Sequence, residues 1–146
     1  MDNSVASVAF SSNGQYLALG SWDNTARIYN VATGIETRKF QLGFWVISVA
    51  FSPDDQYLAL GLDDYTARTY NLESGQEKRK FKLDNSVVSV AFSPDGQHMA
   101  VGSWDKTARI YNLETDKETR KFKLDNDVYS VAFSPDGQYL AVGSGD

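Results

Sequence analysis

The chain of 146 residues has no cysteine, one histidine and three prolines, and each scarcity excludes something. Without cysteine there is no disulfide framework, no thiolate nucleophile and no Cys-x-x-Cys metal site, so stability needs no oxidising compartment. The single histidine, His98, removes most metal and acid-base constellations. No apolar stretch approaches the roughly 18 residues of a membrane span, and Met1-Asp2-Asn3-Ser4 has neither the charge nor the apolar core of a signal peptide. The expectation is a cytoplasmic protein with no membrane partner. GxGxxG, GKS/GKT, GxSxG and His-Glu-x-x-His are all missing, which leaves nucleotide, acyl-transfer and zinc-hydrolase chemistry without a motif. A non-enzyme with no cofactor and no metal is expected.

What is present is ordinary in bulk: 14 basic against 19 acidic side chains, a formal charge of -5 and 42% apolar residues suit one soluble globular domain. The order of those residues is not ordinary. Val-Ala-Phe-Ser recurs at Val8, Val49, Val90 and Val131, always 41 positions on, and Pro53, Pro94 and Pro135 keep the same interval. A period of this size marks a repeat architecture. The chain holds three full units and about half of a fourth: 4-42, 45-83, 86-124 and 127-146.

Within each unit, four short runs rich in β-branched and aromatic residues alternate with turn signals, the pattern of an antiparallel meander. Helix is expected nowhere. The first run (Val5 to Phe10 and its copies) ends in Ser-Pro-Asp-Gly at Ser93 to Gly96 and Ser134 to Gly137, where proline presets φ and glycine takes a conformation that β-branched residues avoid. In the second copy Asp55 must accept that glycine position. Runs two (from Tyr16) and three (from Thr25) flank a tight turn carrying Asp23, Asp64, Asp105 and finally Asp146, placed to bond their own following amides. The fourth run is basic, as in Glu-Lys-Arg-Lys-Phe at 77 to 81, and belongs at a wet sheet edge where lysines deter edge-to-edge pairing.

Four-stranded sheets packed side by side, inner strand buried and outer strand wet, describe an all-β fold, a β-propeller of four-stranded antiparallel blades. With the 41-residue period, the Ser-Pro-Asp-Gly turn and Gly102-Ser-Trp-Asp-Lys-Thr-Ala-Arg-Ile-Tyr-Asn112 in view, the chain resembles the WD40 repeat family along its whole length. Two departures stand out: the family's Gly-His before the first strand is replaced by Gly43-Phe44 or Asp-Asn, and its Trp-Asp by Tyr29-Asn30, Tyr70-Asn71 and Tyr111-Asn112. The family's Asp-His-Ser/Thr-Trp network therefore cannot form in full, although tyrosine still fills the apolar slot. Aligning 86-105 with 127-146, 15 of 20 positions are identical, which resembles recently amplified bacterial WD40 propellers. The resemblance implies a non-catalytic platform that binds peptides or protein surfaces on its loop face.

Closed propellers have typically 4 to 8 blades, so three and a half do not close, and two apolar blade faces would stand in water. The leading expectation is a homodimer: two chains head to tail in a ring of six complete blades and two reduced to inner strands. The other is a fragment of a longer propeller.

Charge is unevenly placed. Ten of the 14 basic residues fall in the fourth runs, whereas the loops joining runs two to three and four to one carry nine of the 19 acidic ones. One acidic face and a basic rim follow. Since the basic runs alternate with Glu36, Glu77 and Glu118 and the net charge is negative, the rim is no nucleic-acid stripe. The acidic face also carries Trp22, Phe44, Trp45, Tyr65 and Trp104. Aromatics ringed by Asp23, Asp63, Asp64 and Asp105 suit a basic protein or peptide segment; alternatively the tryptophans pack between blades and the acids aid solubility. His98 replaces Tyr16, Tyr57 and Tyr139 of the sister copies and reads as a substituted aromatic. Competing functions are a lectin-like small-ligand module with a pocket at each blade interface, and a natural or designed assembly with no partner but its own copies.

Overall fold

The computed structural model describes residues 4-145. Among them are fourteen strands and no helix, as a chain of short alternating runs punctuated by turn residues requires. The first sheet joins β1 (Val5–Phe10), β2 (Tyr16–Ser21), β3 (Thr25–Asn30) and β4 (Glu36–Gln41) in sequence order. The second repeats it with β5 (Val46–Phe51), β6 (Tyr57–Leu62), β7 (Thr66–Asn71) and β8 (Glu77–Lys82). The third consists of β9 (Val87–Phe92), β10 (His98–Ser103), β11 (Thr107–Asn112) and β12 (Lys117–Lys123), and β13 (Val128–Phe133) pairs with β14 (Leu140–Ser144) alone. All neighbouring strands are antiparallel. The basic fourth runs are the outer edges, as their charge demands.

Successive sheets pack face to face, so the core lies between blades and not within one. Side chains alternate along each strand: Leu58 and Leu60 of β6 join the cluster shared with the first sheet, through Ala18, Ala26 and Ile28, whereas Ala59 between them joins the cluster shared with the third, with Val87, Met99 and Val101. Large residues of one blade thus enter the hollows left by small residues of the blade before. Phe40 meets Tyr70 with ring centroids 4.9 Å apart, and Phe81 stacks on Tyr111 at 4.0 Å, which puts tyrosine into the apolar slot that the resemblance assigns to tryptophan.

The turns follow their residues. In the third copy Ser93 Oγ donates to Asp95 Oδ1 at 2.6 Å, the Gln97 amide donates to the same oxygen at 2.9 Å, and Ser93 Oγ accepts the His98 amide at 2.9 Å. Asp55 does stand in the left-handed region, at φ 60, and is compensated across the blade junction, where its carboxylate accepts the Ser12 amide at 2.8 Å. The half blade differs from the repeat in one respect: β14 starts at Leu140 and Tyr139 is exposed. In the full blades this position pairs with the last residue of the third strand, as Tyr57 with Asn71 and His98 with Asn112, and no third strand lies beside β14 among the described residues.

Candidate interaction face

The ends of the strands bring two loop sets onto one face. The Trp22 amide donates to Ser4 O at 3.0 Å, the Asp63 amide to Trp45 O at 3.0 Å and the Trp104 amide to Ser86 O at 3.1 Å, tying each second-to-third-strand turn to the chain entering the first strand. The Leu42, Leu83 and Leu124 amides tie the exit of each fourth strand to the same turn, through Asn24, Tyr65 and Lys106 carbonyls. The two acidic loop sets therefore share a face.

The turn aspartates are held inward. Asp64 Oδ1 accepts the Thr66 amide at 3.1 Å and the Thr66 hydroxyl at 2.5 Å, while Arg68 bonds the other carboxylate oxygen and lends its Nε–H to Thr66 Oγ1 at 3.0 Å. Arg68 reaches on to Glu77 at 3.4 Å. The same relay runs Asp23-Thr25-Arg27-Glu36 and Asp105-Thr107-Arg109-Glu118. Burial pushes the Asp64 carboxyl up, but the hydrogen bonds from Thr66 and Arg68 and the arginine charge outweigh it and hold the group below the usual carboxylate range. Asp23 is lowered in the same way, burial again being overcome by its bonds from Thr25. Asp146, the fourth of the series, and Asp2 lie outside the described residues.

Beside these engaged carboxylates the face carries large aromatic side chains that stay partly exposed. Trp22 of the first blade and Trp45 of the second stack at 4.7 Å, 16° apart in plane, and both stay about two-fifths exposed. Trp104 meets Tyr129 edge-on at 6.5 Å across the third junction. The tryptophans thus do pack between blades, and they remain open to solvent while doing so. At the second junction the matching pair is polar: Ser86 Oγ donates to Asp63 Oδ1 at 2.6 Å. Tyr65 is exposed, with Lys82 Nζ 5.3 Å from its ring centre, and sits in the left-handed region at φ 74 where the first blade has Asn24. Phe44, Asp63, Tyr65 and Lys82 border a shallow hollow of about 490 Å³, and Asp84 beside the next turn is almost fully exposed.

Sequence reasoning missed the role of the fourth-strand arginines, which do more than guard an edge. Arg79 donates from Nε to Asp116 at 2.7 Å and from Nη2 to Leu113 O at 2.7 Å, and lies 5.8 Å over the Tyr57 ring; Arg38 donates to Glu73 O at 3.1 Å. Each clamps the outer turn of the following blade. The signal was that arginine holds positions 38, 79 and 120 while the residue before it changes between threonine and lysine. On the face opposite the aromatics, Tyr16, Ile28, Arg38, Phe51 and Leu72 line a cleft of about 440 Å³ between the first two blades. His98 serves the third blade as tyrosine serves the others, its amide closing the Ser93 turn.

Side-by-side four-stranded meanders with their core between the sheets define a β-propeller segment. The family model "WD domain, G-beta repeat" matches residues 2-30, 37-71, 75-112 and 117-146, and the chain belongs to the WD40 repeat family. A search of curated proteins finds no match to it. Propellers of this family are generally non-catalytic platforms for protein interaction.

Proposed function

We propose that this chain is a non-catalytic propeller scaffold that associates with its own copies into a closed ring and takes a basic peptide or protein segment on its acidic, aromatic loop face. The observation that carries the binding role is the Trp22–Trp45 stack, two large rings left about two-fifths exposed on a face that also bears the solvent-exposed carboxylate of Asp84, 4.0 Å from Arg109. Exposed rings of this size are affinity anchors when a partner covers them, and surrounding carboxylates steer and select a cationic segment. Asp23, Asp63, Asp64 and Asp105 contribute through their charge, since each carboxylate already accepts a hydrogen bond, whereas Trp22, Trp45, Tyr65 and Trp104 supply contact.

Titration of a lysine- and arginine-rich peptide against an acidic peptide of the same length, followed by tryptophan fluorescence at two salt concentrations, tests this reading. Binding of the basic peptide alone, weakened by salt and about tenfold or more by Trp22→Ala with Trp104→Ala, is expected. Equal binding of both peptides, or an unchanged affinity in a double variant with normal thermal unfolding, contradicts it. The 440 Å³ cleft beside Tyr16 and Arg38 favours a second reading, a small-ligand site; saturable binding on a glycan array, lost on Tyr16→Ala, would establish that instead.

A further inference from the structure

The three internal blade junctions share one socket. A glycine on each second strand leaves room for the first-strand valines of the next blade. A Cβ built on Gly20 would come within 2.8 Å of Val46 and 3.0 Å of Val49; on Gly61, within 2.7 Å of Val87; on Gly102, within 2.8 Å of Val128 and 3.2 Å of Val131. No side chain larger than hydrogen fits there without shifting the neighbouring blade. Beside each socket a serine hydroxyl of the earlier blade accepts a first-strand amide of the later one: Ser7 from Val49 at 3.2 Å, Ser48 from Val90 at 3.2 Å and Ser89 from Val131 at 3.1 Å.

The fourth copy repeats the socket's residues without a neighbour against them among the described residues. A Cβ on Gly143 would meet nothing closer than Ser130 of its own hairpin, at 3.8 Å, and Ser130 stands where Ser7, Ser48 and Ser89 stand. At the opposite end, Val5 and Val8 hold the places of Val46 and Val49 and are 48% and 58% exposed. The socket on the last hairpin and the matching valines on the first strand are thus both left uncovered among the described residues.

We propose that the open face of the β13–β14 hairpin seats β1 of a second copy of this chain, with Val5 and Val8 closing on Gly143 and Ser130 Oγ accepting the Val8 amide. The occupant is identified by continuity: the same contact of glycine, valine and serine recurs at every internal junction, and the chain's own β1 carries the matching valines, exposed. A contact between unlike faces closes when a second identical contact completes the ring, so each dimer would use the socket twice. This rests on the self-association proposed above and fixes where it occurs.

The test is solution mass by light scattering at tens of micromolar for the full chain, Gly143→Val and Val8→Lys. Wild type is expected at twice 16.2 kDa. Both variants should dissociate, raising the dimer dissociation constant by about a hundredfold or more, because overpacking or a buried charge is felt at both contacts. A monomeric wild type overturns self-association and this seat with it. Dimers that persist in both variants leave self-association standing and overturn the seat alone. Val8→Lys changes a side chain already in water in the free chain, so it decides the matter if Gly143→Val fails to fold.

Discussion

Phe81 on the outer strand of the second blade lies flat against Tyr111 on the third strand of the next, ring centroids 4.0 Å apart and planes within 16°. The contact is the outermost layer of a junction whose inner layers are Val87, Met99 and Val101. It recurs as Phe40 with Tyr70. Phe122 is the same residue in the third blade, has no tyrosine stacked on it among the described residues, and is 43% exposed. Phe81→Ala should therefore cost about 3 kcal/mol in urea unfolding, and Phe122→Ala less than about 1 kcal/mol. Equal losses would mean that the ring stack does not hold the blades together.

Asp64 organises its turn through Thr66 and Arg68. Because its folded-state carboxyl is held below the ordinary value, the stability it provides is fully present above the unfolded-state pKa of about 3.9 and drains away as pH falls through the lower folded value. Asp64→Ala should cost about 2 kcal/mol at neutral pH, leaving Arg68 and the Thr66 amide without their acceptor. It should also flatten the acid limb of the stability curve below about pH 4. Thermal unfolding from pH 7 to 2 measures both effects.

Thr69 occupies the position of Ile28 and Ile110 and is fully buried, and its hydroxyl has no hydrogen-bond partner. Thr69→Val keeps the shape and removes the unpaired oxygen, so it should stabilise the chain by about 1 kcal/mol. A loss of stability on equilibrium unfolding would show that the hydroxyl is satisfied in solution.

Tyr65 is an aromatic residue at φ 74, a conformation that asparagine tolerates better. Tyr65→Asn copies the first blade's Asn24 and should leave stability unchanged or raise it by up to about 1 kcal/mol. If Tyr65 belongs to the peptide face, basic-peptide affinity should fall in the same variant. Calorimetric binding beside a thermal melt separates the two effects, and unchanged affinity would remove Tyr65 from the face.

The strand pattern was legible because each cause is local. The four first strands end where β-branched runs meet Ser-Pro-Asp-Gly or its variants at 11-14 and 52-55, the three third strands begin after the aspartate turn, and Asp55 carries the positive φ that its place in the repeat demands. The 41-residue interval likewise exposes the blades, since identical residues at one spacing form identical units. Strand alternation likewise puts the two acidic loop sets at the same end of the strands, and the basic fourth runs form the outer edge of each sheet.

The sequence could not show what one blade does to the next. That Asp23, Asp64 and Asp105 turn inward to threonine and arginine, and that Trp22 of one blade stacks on Trp45 of the next, depends on side chains meeting in space. So does the clamp from Arg79 to Asp116. The glycine-valine sockets are the clearest case: Gly102 and Gly143 read alike in the chain, and only packing distinguishes a glycine pressed by Val128 from one with an open face. The sequence determined the blades through local turn chemistry and alternation; tertiary structure decided their junctions, because close packing is a relation between surfaces about 41 residues apart.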